Sequence, residues 1–362
     1  MRSFKRSLTS AMPIALVALM VGCGTSTQPI APSGLSTTVG VVASEAAPTP
    51  TSTPTPARPS APTATEPAIA GRILFTRTAG GDRQTIFAAA ADGSGEHQLT
   101  PPGDYGGVVR ISPDGTRILT MPGQDPLAPP LTGGSLAIDG TDFMRLPLTD
   151  PTLNLIPQAW SPDGKRIAFE GFDDSTPGRV GVYTARAADG GDLVRVTSPN
   201  GAPHDIPLDY SPDGKQLVFY RAVKAEPDFP IDIGGSLWVV EVDGSNPHQV
   251  TTPAAAPFDW ARWSPDGSRI LFGSERLQPK GALWTVSPDG SGPAKLFEDP
   301  NGGYPIQPTW SPDGSQIAFA LDPVADKFTH PDNGLYVINA DGTGLRLVIG
   351  SSDFKSQPEW WQ

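Results

Sequence analysis

The chain has 362 residues with a formal net charge of −12, 42 prolines, 40 glycines, eight tryptophans and one cysteine. A single cysteine excludes an internal disulfide and a zinc cage built on cysteines. The acidic balance argues against nucleic acid and anionic membrane surfaces as partners, because both are bound through clustered Lys and Arg that displace counterions.

Residues 1–22 have the order of an export signal. Arg2, Lys5 and Arg6 open it, Ala11 to Gly22 form an apolar run too short to span a bilayer, and Val21-Gly22-Cys23 ends it with small residues. This resembles a bacterial lipoprotein signal, with Met20 where Leu is usual. The resemblance implies that Cys23 becomes the lipidated first residue of an exported protein. That protein would be anchored at the outer face of the cytoplasmic membrane, in the periplasm or at the cell surface. A cleaved secretory signal followed by an unrelated cysteine is the other reading.

Residues 23–69 read as a tether. They are rich in Pro, Thr, Ser and Ala, and the run PTPTSTPTPARP favours an extended polyproline II path. Few large apolar side chains are present to offset the entropy of ordering it.

From residue 70 to 362 a repeat governs the chain. The stretch WSPDGKRIAF at Trp160 to Phe169 returns with SPDG at Ser112, Ser161, Ser211, Ser264 and Ser311, in steps of 49, 50, 53 and 47 residues. Each copy predicts a hairpin: Pro sets φ near −65°, Asp tolerates the next position and Gly takes φ > 0. A sixth SPDG, at Ser287, falls in the other turn of its repeat. A second turn in every repeat is Asp-Gly, at Asp92, Asp139, Asp189, Asp243, Asp289 and Asp341, a strong hairpin signal. Gly71 to Phe75 matches the second strand of the repeat with no SPDG before it, whereas Pro358 to Trp361 matches a first strand with nothing after it. The sequence therefore predicts an all-β fold, a six-bladed β-propeller of four-stranded antiparallel blades, closed by pairing of the N- and C-terminal segments. Tight turns are expected on one face of the disc and long loops on the other.

A WSPDGKRIAF-type hairpin at this spacing is similar to the propeller repeat of the TolB family, over about residues 71 to 362. The resemblance implies that Asp114, Asp163, Asp213, Asp266 and Asp313 form turns and do no catalysis. The protein that gives the family its name carries an α/β domain before its propeller, where this chain has the tether. Its Tol-system role is therefore not carried over.

Motifs for chemistry are lacking: the sequence has no G-x-S-x-G elbow, no HExxH, no phosphate loop and no EF-hand run. His97, His204, His248 and His330 fall in different repeats. No cofactor and no metal are expected. The long-loop face carries more acidic than basic residues, which suits a basic or cationic partner. Candidate ligand contacts at its channel mouth, near the start of each inner strand, are Tyr105, Asn154, His204, Asp205, Asp259, Tyr304 and Phe354. The expected function is a monomeric, lipid-anchored module that binds a protein, a peptide or a cell-envelope component without catalysis. The alternative is a hydrolase or lyase with a metal or carboxylate site at that mouth, built on His204, Asp205 and Asp259. One more alignment bears on the channel. Arg110, Ala159, Asp209, Arg262, Thr309 and Glu359 each precede the aromatic or apolar residue that ends an inner strand. Neighbouring blades are expected to pair Asp209 with Arg262 and Arg110 with Glu359.

Overall fold

The structure is a computed structural model, and it describes residues 71–78, 84–101, 105–122, 131–147, 150–173, 175–199, 204–222, 235–252, 257–274, 281–322, 334–350 and 354–361. The expected signal, Cys23 and the tether lie outside these residues.

Among the described residues, twenty-four strands form six four-stranded sheets. The chain begins with β1 (Arg72–Thr78), β2 (Gln84–Ala90) and β3 (His97–Gln98). Blade 2 follows as β4 (Tyr105–Ile111), β5 (Arg117–Pro122), β6 (Gly134–Ala137) and β7 (Met144–Arg145). Blade 3 is β8 (Asn154–Trp160), β9 (Arg166–Phe172), β10 (Gly181–Arg186) and β11 (Val194–Arg195). Blade 4 is β12 (Asp205–Tyr210), β13 (Gln216–Ala222), β14 (Gly235–Glu241) and β15 (His248–Gln249). Blade 5 is β16 (Pro257–Trp263), β17 (Ile270–Ser274), β18 (Ala282–Val286) and β19 (Ala294–Glu298). Blade 6 is β20 (Tyr304–Trp310), β21 (Gln316–Asp322), β22 (Gly334–Asn339) and β23 (Arg346–Gly350). The last strand, β24 (Phe354–Trp361), returns to pair antiparallel with β1 and completes blade 1 in the order β24-β1-β2-β3. The ring is thus closed by the two ends of the chain, as the repeat predicts.

The SPDG turns show why those four letters recur. In the Ser161 copy, Gly164 N–H donates to Ser161 O at 2.8 Å, and Gly164 has φ 69°, a region that a Cβ would strain. Asp163 Oδ1 accepts from the Ser161 hydroxyl at 2.7 Å and from Lys165 N–H at 3.0 Å, while Ser161 Oγ accepts from Arg166 N–H at 2.9 Å. The same pattern stands at Ser112, Ser211, Ser264 and Ser311. Serine therefore links the turn to the returning strand, a role that turn propensity alone does not reveal.

Burial is arranged between blades. Six apolar clusters fill the six inter-blade spaces; one joins Ile73, Phe75 and Trp360 of blade 1 to Ala318, Leu335 and Val337 of blade 6. Trp263, Trp310, Trp360 and Tyr210, at or next to the ends of their inner strands, belong to such clusters, each packed against the preceding blade. Aromatic rings of this size supply the largest burial per residue in the repeat. The repeat is therefore a repeat of interfaces, and each blade is stable only beside its neighbours.

Candidate functional site

Each inner strand runs from the long-loop face to the tight-turn face, so the channel has two ends with different chemistry. Every inner strand also carries a register shift partway along, between Gly106 and Arg110, Pro157 and Ala159, Pro207 and Asp209, Pro257 and Ala261, Ile306 and Thr309, and Ser356 and Glu359. Such bulges re-aim side chains and tolerate proline, which has no N–H for the ladder. The prolines at 157, 207, 308 and 358 were the signal for them in the sequence.

At the tight-turn end, the six aligned residues Arg110, Ala159, Asp209, Arg262, Thr309 and Glu359 all line one cavity of about 240 Å³. Trp160, Trp263, Trp310 and Trp360 form much of its wall. The charges pair differently from the expectation. Arg110 lies 4.0 Å from Glu359, but Arg262 Nη2 also reaches Glu359, at 2.8 Å, past the intervening blade 6. Both guanidinium groups also donate to backbone carbonyls, Arg110 to Val109 at 3.0 Å and Arg262 to Leu208 at 3.3 Å. Asp209 is not in an ion pair with Arg262, which corrects the neighbour-pairing expectation. Its oxygens accept from Tyr210 N–H and from Trp263 N–H, each at 3.0 Å. The physical reason is the bulge, which brings backbone N–H groups to Asp209 and leaves Glu359 as the acceptor for both arginines. Burial pushes the Asp209 carboxyl up to about 6, against the pull of Arg262, the Trp263 N–H and Arg110, with Glu359 adding to the rise.

Two residues before Thr309 and Glu359 on their strands, Gln307 and Gln357 are both buried and line a second, much smaller cavity beside Arg110 and Arg262. Both have positive φ, 53° and 54°, unusual for residues with a side chain. Gln357 N–H donates to Gln307 Oε1 at 2.7 Å, and Gln357 Nε2 donates to the carbonyl of Gly107. These bonds tie blades 6, 1 and 2 together across the closure.

At the long-loop end, the sequence-predicted residues lie at the starts of the inner strands, except Asp259, which falls two residues further in, within the register shift of β16. Asn154 is buried, and its Oδ1 accepts from Leu131 N–H at 2.8 Å. Asp205 is fully buried and bidentate with Arg221, at 2.7 and 2.8 Å; that guanidinium stacks 4.6 Å from the Trp238 ring. His204 is partly exposed, 6.2 Å from the Phe172 ring, with Nδ1 3.5 Å from Glu170 Oε1. Glu170 is buried and, among the described residues, its Oε2 has no hydrogen-bond partner. Tyr304 and Phe354 are partly exposed. Tyr105 opens β4 and Asp259 lies within β16, while their side chains fall outside the described residues. Nearby, Arg179 binds Asp173 at 3.0 Å and also Asp150. The Asp150 carboxyl is held at about 2 by the Thr152 N–H and hydroxyl and by Arg179. Among the described residues, no three His, Cys, Asp or Glu side chains are grouped to hold a metal ion. Glu170 is the residue that sequence reading missed; a carboxylate in the buried second strand, where the other repeats carry Thr, Met, Tyr, Gly or Ala, was its signal.

The comparisons place this geometry among known proteins. A search of curated proteins gives no significant match. Among solved structures, a protein assigned as TolB from Agrobacterium tumefaciens is similar with a TM-score of 0.57 and 18% identity, over 81% of this chain and 99% of that one. An oligogalacturonate lyase in complex with manganese is similar at 0.51 and 16%, over 77% and 74%. A nidogen/laminin complex is similar at 0.52 and 11%, over 79% and 93%. At these identities the likeness is one of fold, which an enzyme and a protein complex here share. The family profile described as TolB beta propeller domain matches residues 137–322, about half of the chain. With that match and its closed ring of six four-stranded sheets, the chain belongs to the TolB β-propeller domain family.

Proposed function

We propose that the chain is an exported propeller, lipid-anchored through Cys23 and held off the membrane by residues 23–69, which binds a protein, a peptide or another cell-envelope component on its long-loop face without catalysis. The observation that carries this reading is the engagement of Asp205. A carboxylate with no exposed surface, bound on both oxygens by Arg221, supports a scaffold and meets no substrate. Asn154 is likewise committed to the backbone of Leu131. The partly exposed Tyr304, Phe354 and His204 then form contact surface around them, with Tyr105 from the same row and Asp259 two residues further along its strand. Aromatic residues flanked by polar groups are the usual anchors of a protein interface.

Site-specific photo-crosslinking in the native envelope tests this. A crosslinker at Tyr304 or Phe354 is expected to trap a discrete partner, and one at Pro113 on the opposite face is expected not to trap it. Crosslinking from Pro113 alone would place the partner on the wrong face. Cys23→Ser is expected to move the protein from membranes to the soluble exported fraction, since in this reading one residue carries all the acyl chains and each buried methylene contributes roughly 0.8 kcal/mol.

The enzymatic alternative keeps one observation in its favour, the Oε2 of buried Glu170 beside His204, unpartnered among the described residues. Metal analysis of the purified full chain separates the two readings. A stoichiometric ion, lost in Glu170→Gln, favours the hydrolase or lyase.

A further inference from the structure

The cavity at the tight-turn end lies at the other end of the channel from the loops assigned to the partner above. At about 240 Å³ it has room for one long side chain and not for a folded segment. Its floor has an uneven distribution of partners. Arg110 and Arg262 converge on Glu359 and also donate to backbone carbonyls, so their charge is largely committed. Asp209 is the converse case. It lines the same cavity, is partly exposed, and each of its oxygens accepts one backbone N–H; among the described residues no cation is in ion-pair contact with it, and Arg262 and Arg110 act on it only at longer range. A carboxylate with one neutral donor per oxygen retains a free lone pair on each, and in a partly desolvated site it is complementary to a cationic donor.

The walls and the rim favour the same ligand. Trp160 is partly exposed in the cavity, and Trp263, Trp310 and Trp360 complete an indole lining, the kind of surface that attracts ammonium and guanidinium groups. The SPDG turns carry the carboxylates Asp114, Asp163, Asp213, Asp266 and Asp313 on the same face, and Pro113, Pro265 and Pro312 of three of these turns line the cavity. Each carboxylate is held below the usual carboxylate range, chiefly by the hydroxyl of its SPDG serine, and so remains charged at any ordinary pH. Asp163 and Asp213 are each paired with the lysine of their own turn, Lys165 and Lys215, at 3.5 Å, whereas Asp114, Asp266 and Asp313 have serine or threonine there and leave their side of the opening negative.

We propose that this cavity receives a lysine or arginine side chain presented by a partner polypeptide, with Asp209 as its counter-ion and the tryptophan rim as its wall. The site is separate from the long-loop face, so either assignment can fail without the other.

Calorimetric titration of the full chain at neutral pH and low salt tests the proposal. The probes are N-acetyl-lysine N-methylamide, its arginine counterpart, the same lysine compound acetylated on its side chain, and the glutamate counterpart. The two cationic probes are expected to bind at least about tenfold more tightly than the acetylated and glutamate probes, a difference of about 1.4 kcal/mol. Asp209→Asn is expected to remove that preference, while Asp289→Asn, on an exposed outer turn of the same face, should leave it within about twofold. Equal binding of the acetylated lysine probe, tighter binding of the glutamate probe, or an unchanged preference in a folded Asp209→Asn protein would each overturn it. If Asp209→Asn does not fold, the four probes on the unaltered chain still decide.

Discussion

Glu359 accepts a hydrogen bond from Arg262 at 2.8 Å although the two stand on blades that are not neighbours, with Thr309 of blade 6 between them. Arg110 approaches the same carboxylate from the other side, at 4.0 Å. One acid thus joins the inner strands of blades 1, 2 and 5 across the channel. Removing it strands two partly buried cations, which costs more than removing a complete pair.

Glu359→Ala is expected to lower stability by about 3 kcal/mol, and the double variant with Arg262→Ala by less than the sum of the two single changes. Double-mutant cycles by denaturant unfolding check this. Coupling should be largest for Arg262 with Glu359, smaller for Arg110 with Glu359, and smallest for Asp209 with Arg262. A dominant Asp209–Arg262 coupling would contradict the observed pairing.

Asp209 gives a pH dependence with a definite sign. Its folded-state pKa is about 6, raised above the ordinary 3.8 by burial. For a group raised in the folded state, the associated stability is fully present below the unfolded value and lost as pH rises through the folded value. The ionised carboxylate therefore costs up to about 3 kcal/mol at pH above 6, at 1.36 kcal/mol per unit. Asp209→Asn should raise stability at neutral pH, with a gain that shrinks steadily as pH falls from 6 toward 4. A gain that stayed constant over that window would show that titration of Asp209 is not its source.

Closure predicts an asymmetry between the two ends of the chain. Deleting residues 357–362 removes Trp360, buried in the cluster between blades 1 and 6, and the Gln357 bonds to Gln307 and Gly107. Loss of the tryptophan alone is worth roughly 2 to 3 kcal/mol or more, and β1 is left as an open edge. Against a total of about 5 to 15 kcal/mol, the truncated ring should unfold or aggregate. Deleting residues 24–66 should leave the melting temperature almost unchanged. A monomeric C-terminal truncation that melted with the full chain would contradict this closure.

The SPDG serine is a local test of the repeat. Ser161 is buried, and its hydroxyl both donates to Asp163 and accepts from Arg166 N–H. Ser161→Ala leaves that N–H without its side-chain acceptor, and a loss of about 1 to 2 kcal/mol is expected in thermal unfolding. Pro162→Ala, on an exposed residue that makes no backbone donation, should cost clearly less.

The blade count, the strand order within each blade and the closure by Pro358 to Trp361 were legible in the sequence, because each follows from a short local code. A turn needs particular residues at particular φ, and a strand that repeats every fifty residues needs the same neighbours every time. The row of residues at the starts of the inner strands, and the row at their ends, were legible for the same reason of register. Their roles were not. Asp205 is an acid at the channel mouth in the sequence, and only the tertiary structure put Arg221 on both its oxygens. Arg262 precedes Trp263 in a row that suggested a partner one blade back, at Asp209. A bulge in each inner strand turned backbone N–H groups toward Asp209 and left Arg262 to cross the lumen to Glu359. Periodicity specifies which residues share a level of the ring. Which charge meets which across an open channel depends on side-chain length and backbone irregularity, and a linear pattern encodes neither.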